Sequence, residues 1–314
     1  MSKVKAVSNL KNIWNDEDIR HRLLFNFPVS VLEQLKKMHK INSSSLLIEE
    51  LKKIFEESKK GSEIHQILVN DFLLSFHHPD NIKNNESGKQ LEKKFSRLFG
   101  AKRMDDEKKS ISHFNEVEVE KILNDKGAIK KLKSNCKDKT DLLFDDLSGI
   151  SMKCGISTNK EINFGSFEFL NIIRDKKFDK YQDLKERKRE RKINGYDCGL
   201  GSEAQLKNTV TAMQEDGIFE DFIYRFEKLF SIVFKSDIFF YHKNTDSFDI
   251  WILSNEKFKD IIFNDVKDGF NKMRWEGNSI RSSSIEKMKE NSDRIHYSFD
   301  DVINYDFLKS YFKS

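Results

Sequence analysis

The segment KTDLLFDDLSGISMKCG, Lys139 to Gly155, carries the pair of side chains best suited to chemistry in this sequence. Two short apolar runs flank a turn, with Asp141 opening the first run and Lys153 closing the second. Period-two alternation sets Ser151 and Lys153 on one face of the second strand, and Ile150 and Met152 on the other. A tight hairpin lays the strands side by side, so a carboxylate and an ammonium can meet at one end of a sheet. Phosphodiester hydrolysis uses such a pair. The carboxylate helps to hold Mg²⁺, which polarises the scissile phosphate and acidifies a bound water. The lysine stabilises charge on the phosphorus oxygens in the transition state, and can orient or deprotonate the water. A second carboxylate is wanted nearby, and the preceding stretch offers Glu116, Glu118 and Glu120. The alternative is an ordinary edge-strand ion pair beside a turn.

The elements that must position these residues follow from apolar spacing. Val31, Leu32, Leu35, Met38 and Ile41 repeat at helical intervals, and Ser43–Ser45 offer caps for a helix through Leu46, Leu47, Leu51, Ile54 and Phe55. Ile64, Ile67, Leu68, Phe72 and Phe76 predict a third helix. Leu91, Phe95 and Leu98 predict a fourth, ended by Gly100. AKRMDDEKKS then reads as a linker or exposed loop. NEVEVEKILNDKG suits a helix ending at Gly127, followed by strands Asp141–Phe144 and Ile150–Cys154 around the turn DDLSG. EFLNIIRD to ERKRERK, EAQLKNTVTAMQ and FEDFIYRFEKLFSIVF read as helices. DIFFYHKNTDSFDIWIL reads as a hairpin. Helix, strand, strand, helix and further strands make an α/β sheet domain with a helical N-terminal extension.

Bulk properties narrow the function classes. A chain of 314 residues with 27 phenylalanines can bury a sizeable core, and its 34% charged residues mix both signs, which argues against general disorder. Net charge is only +4, but Lys121–Lys139 holds seven lysines against two aspartates. Lys176–Lys192 holds nine basic residues against four acidic ones, so both flanks of the hairpin are positive. Either run can equally be a solvated helix face. Three cysteines without a CxxC pair exclude a disulfide framework and a zinc ribbon. The sequence shows no signal-peptide h-region and no long apolar span, so a cytoplasmic protein is expected.

Preceded by a stretch with an embedded glutamate, KTDLLF…GISMK resembles the core of the PD-(D/E)xK nuclease superfamily. In the form KTDL…ISxKxG it is most similar to type II restriction endonucleases, over roughly residues 114–155. The resemblance implies an α/β, restriction-endonuclease-like central mixed sheet flanked by helices. It assigns Asp141 to the metal-binding aspartate, Lys153 to the catalytic lysine and Glu118 to the helix glutamate, with Mg²⁺ as cofactor. Thr140 replaces the proline of the motif, and Ser151 stands where its second acid would be. A glutamate from elsewhere is therefore expected, Glu118 first and Glu168 second. Pro79-Asp80 with Glu92-Lys93-Lys94 satisfies the literal motif, but Lys94 falls in a helical pattern, so the hairpin is preferred.

Other segments suit nucleic acid. RWEGNSIRSSS places Arg274, Asn278 and Arg281 close together, a mixture fit for base edges or phosphates. Gln205 and Lys207 open a helix that could touch phosphate, or is simply capped. His77 and His78 lack partners at metal-ligand spacing. The expected organisation is a helical region over 1–105, for DNA binding or dimerisation, and a nuclease domain over 106–314 with C-terminal recognition elements. The expected activity is sequence-specific cleavage of double-stranded DNA by a homodimer, with a cognate methyltransferase as functional partner. A structure-specific repair nuclease and a non-catalytic DNA-binding protein on a degenerate scaffold are the alternatives.

Overall fold

A computed structural model describes residues 15–24, 41–76, 95–104, 139–153, 161–167, 175–178, 203–243, 247–276, 279–298 and 304–313, with isolated positions at 8, 12–13, 33, 37, 92–93, 121, 124, 172 and 181. Three helices come first, α1 (Glu17–Leu24), α2 (Leu47–Lys59) and α3 (Glu63–Phe76). Strands β1 (Lys102–Arg103), β2 (Leu142–Leu143), β3 (Gly149–Lys153) and β4 (Ile162–Ser166) follow. Helices α4 (Glu203–Glu215) and α5 (Phe219–Val233) lead to the hairpin β5 (Asp237–Lys243) and β6 (Ser247–Leu253). The remaining elements are α6 (Asn255–Lys267), β7 (Met273–Glu276), β8 (Ser279–Ser282), α7 (Ile285–Glu290), β9 (Asp293–Ser298) and α8 (Tyr305–Lys313).

Six strands form a mixed sheet in the order β1-β2-β3-β5-β6-β9. Every neighbouring pair is antiparallel except β3 and β5, which run parallel. Short turns force the antiparallel hairpins, whereas a parallel pair needs a long crossover, and the chain between β3 and β5 supplies one through β4, α4 and α5. β4, β8 and β7 make a separate three-stranded antiparallel sheet.

Alternation along the strands divides the apolar residues between two cores. Ile238, Phe240, Trp251 and Leu253 face one core, built with the stripe Phe219, Phe222, Phe226, Phe230 and Val233 of α5. Ile150, Met152, Phe239, Tyr241, Ile250 and Ile252 face the other, with Leu47, Leu51 and Ile54 of α2 and with Leu98, Leu308 and Phe312. The N-terminal helices thus cover one face of the main sheet.

Two expectations change. The Ser43–Ser45 caps do not form: the residue before α2 is Leu46, and no side chain caps the helix. Ser44 instead donates its hydroxyl to Asp237 at the start of β5 (2.7 Å) and its N–H to Ser148 Oγ in the hairpin turn (2.7 Å). In the stretch read as a linker, Lys102 and Arg103 pair with Leu143 and Leu142 as an edge strand. Charged residues suit a sheet edge, where only the backbone must pair. Most of the expected helix over Val31–Ile41, most of the expected helix bearing Glu118, with Glu118 itself, and most of EFLNIIRD to ERKRERK lie outside the described residues. Among the described residues, no helix is long and apolar enough to cross a membrane.

Candidate active site

The hairpin β2–β3 is held open-ended by its neighbours. Asp146 Oδ1 accepts the Ser148 N–H (2.8 Å), which closes the turn, and Asn42 accepts the Asp146 N–H (3.2 Å). Asp141 then enters β2 with both backbone groups engaged. Its N–H donates to Ile150 O (2.8 Å), and its carbonyl accepts the Met104 N–H (3.0 Å). A residue fixed on both sides by backbone can aim its side chain with little freedom.

The Asp141 carboxylate turns onto β3. Its Oδ2 accepts the Met152 N–H at 2.7 Å and the Ser151 hydroxyl at 3.4 Å, and Lys153 Nζ stands 3.9 Å away. Both charged side chains keep limited access to water, 23% for Asp141 and 17% for Lys153. Ile150 and Met152 are buried in the core under α2, so Ser151 and Lys153 project from the opposite face. The structure therefore brings Asp141, Ser151 and Lys153 together. Ser151 is 1% exposed and acts as a donor to Asp141, steadying the carboxylate at the position where the motif has an acid.

Close packing sets this geometry at Gly149. A Cβ there would stand 2.5 Å from Thr140 Cγ2 and 2.8 Å from Ser236 Oγ, two side chains that hydrogen-bond to each other behind the hairpin. Thr140 is buried and β-branched, so it has no room to give way. Gly149→Ala should lower stability by about 1–3 kcal/mol in a urea titration. Adding Thr140→Ser, which removes the clashing methyl, should restore part of it.

The other expected site residues are distributed as follows. Glu118, Glu168, Asn278, His77, His78 and Lys94 lie outside the described residues. Gln205 and Lys207 are on α4, where Lys207 is exposed. Arg274 and Arg281 face each other across β7 and β8, and Asn163 of β4 stands beside Arg281 in the same row. Like charges directly opposite are unfavourable on a sheet. Glu161, which the sequence reading passed over, offsets them. It accepts two parallel hydrogen bonds from Arg274 Nε and Nη2, both 2.8 Å. These bonds, with a smaller contribution from the Arg281 charge, hold the Glu161 carboxyl below its usual range against the opposing effect of burial. Because the folded-state value is lowered, the pair's contribution is complete above the ordinary carboxylate range and is lost as acidification passes the lowered value.

Asp141 is a hard oxygen ligand of the kind Mg²⁺ takes, and this ion is commonly held by one or two carboxylates together with substrate phosphates and waters. The hairpin fits that role with one carboxylate. Among the described residues, no group of three or more His, Cys, Asp or Glu side chains gathers as a metal site. No protein-family model matches this chain, and comparison with curated proteins finds no relative.

Proposed function

We propose that this chain is a Mg²⁺-dependent, sequence-specific endonuclease of double-stranded DNA, of the type II restriction kind, with a restriction-endonuclease-like core. The observation that carries this reading is the Asp141 carboxylate 3.9 Å from the Lys153 ammonium, on paired strands of a mixed sheet. Asp141 would hold the ion, with Glu118 as the second carboxylate. The chemistry such an ion supplies is polarisation of the scissile phosphate and acidification of a coordinated water. Lys153 neutralises the charge that grows on the phosphate oxygens as the P–O bond breaks. The Met152 N–H and the Ser151 hydroxyl keep Asp141 in one orientation, so that little reorganisation accompanies the reaction. Arg274 and Arg281 contact DNA from the small sheet, and two copies act on the two strands. A methyltransferase of matching specificity protects the genome in a bacterial cytoplasm.

One observation favours a second reading, a DNA-binding protein that does not cut. Ser151 contributes a hydroxyl where a second ligand oxygen with negative charge is wanted. Incubating the full chain with supercoiled plasmid separates the two. Discrete fragments with Mg²⁺ and none with EDTA are expected. Retarded but intact plasmid would overturn the nuclease in favour of the binding protein, and nicking confined to branched DNA would favour a repair nuclease.

A further inference from the structure

The sheet face that carries Ser151 and Lys153 continues across β5 and β6 to the edge strand β9. Lys153 stands beside Phe240, Phe240 beside Trp251, and Trp251 beside Arg294. Partners in adjacent strands turn their side chains to the same face, so these residues form one row. The next row along the same strands holds Asp249 and His296. The middle of the Lys153 row is buried, with Phe240 stacked on Trp251 at 5.4 Å, and its far end reaches solvent at Arg294.

Asp249 is 4% exposed in the middle of β6. Its Oδ1 accepts Arg294 Nε at 2.8 Å and pairs with His296 Nδ1 at 2.8 Å, and Arg294 Nη2 lies 2.7 Å from the same oxygen as an ion pair. An ionised carboxylate only accepts, so the imidazole proton of this bond sits on Nδ1. Arg294 and His296 are 54% and 53% exposed, so a buried acid holds two half-exposed bases in fixed orientations. Their remaining nitrogens, Nη1 of Arg294 and Nε2 of His296, have no hydrogen-bond partner among the described residues. Lys289 of α7 adds a second permanent cation beside Arg294. Its Nζ lies 5.1 Å from the Trp251 ring, with Arg294 5.7 Å from the same ring, and it also bonds Glu286. Stability alone does not call for this arrangement. Charge on the edge strand needs no special reason, but burying the carboxylate behind it is costly, and half-exposed ion pairs return little. What it achieves is a rigid presentation of positive charge at the surface.

We propose that Arg294, Lys289 and the imidazolium form of His296 make a contact site for a phosphodiester of the DNA backbone, oriented from behind by Asp249. This rests on the reading of the chain as a DNA-binding nuclease. A guanidinium edge with a neighbouring imidazolium N–H matches the several acceptor oxygens of a phosphate. Three interstrand steps put Arg294 about 14 Å from Lys153, on the order of four base-pair rises along a duplex. The phosphate at Arg294 is therefore not the scissile one, and the contact sets the register of the duplex on the protein.

The test is fluorescence anisotropy of the full chain with a short labelled duplex of random sequence, in EDTA, over a range of salt concentrations. Arg294→Gln is expected to weaken binding about tenfold and to flatten the plot of log affinity against log salt by about 0.9. Lys289→Gln, which leaves every Asp249 contact intact, is expected to weaken binding about threefold with a similar flattening. A melting midpoint is taken for each variant, and Lys289→Gln decides if Arg294→Gln proves unstable. Wild-type affinity and slope in Lys289→Gln and in a stably folded Arg294→Gln would overturn this site and leave the nuclease reading standing. A wild-type chain that binds no duplex would remove the nuclease reading, and the site with it.

Discussion

Lys153→Met is expected to reduce Mg²⁺-dependent plasmid cleavage by about 10²–10³-fold, the range seen when a donor to developing transition-state charge is removed. The substitution keeps the length and apolar stem of the side chain and deletes only the ammonium. Lys153 is mostly buried, and its separation from Asp141, 3.9 Å, is at the outer edge of an ion pair. Asp141 keeps its bonds from the Met152 N–H and the Ser151 hydroxyl, so losing so long a pair should lower the unfolding free energy by about 1 kcal/mol in a urea titration. Duplex affinity measured in EDTA should stay within about threefold of wild type, because one phosphate contact of several is lost. A fall in rate without a fall in stability or affinity marks a group that acts in the transition state. Lys94→Ala serves as the contrast and should cut like the wild type. Wild-type cleavage by Lys153→Met, or its loss in Lys94→Ala, would sink the assignment of the hairpin.

Long apolar patterns made much of this fold legible from the chain alone. The stripe of α5 repeats over the whole helix, and β5 and β6 alternate between two cores, so periodicity announces both. The hairpin β2–β3 was legible for the same reason, and its pleat put Ser151 and Lys153 on one face. What periodicity cannot carry is pairing between distant segments. Lys102 and Arg103 contribute only backbone to the sheet edge, so their side chains give no strand signal. Ser44 looks like a helix cap because its real partner, Asp237, lies far along the chain. Glu161 acquires its role only when β4 pairs with β8 in the sheet that also holds β7, where it bonds Arg274. Asp249 reads as a stray acid in an apolar strand until β9 lies beside it with Arg294 and His296.

Phe230→Ala tests whether the aromatic core on the Lys153 side of the sheet supports the site as well as the fold. Phe230 is fully buried on α5, with Phe234 stacked at 4.4 Å and Phe226 at 5.3 Å. Phe167 meets it edge-on at 5.6 Å, and Phe258 and Phe263 both stand at 5.7 Å. Rings packed from so many directions cannot collapse into the space that alanine leaves. The expected cost is about 3–5 kcal/mol, read as a lower urea midpoint at unchanged m. Phe230→Leu keeps most of the volume and should cost well under half of that. Tyr224→Ala, on the exposed side of the same helix with Lys228 over its ring, should cost less than about 1 kcal/mol. The connection to the site runs through the end of α5. Val233 O accepts the Lys139 N–H at 2.9 Å, and Ser236 bonds Thr140, so the residues just before Asp141 hang from this helix terminus. Loosening the Phe226, Phe230 and Phe234 stack should therefore lower cleavage even at temperatures where Phe230→Ala remains folded. Full cleavage by the folded variant would show instead that the site is held by the β2–β3 pairing alone.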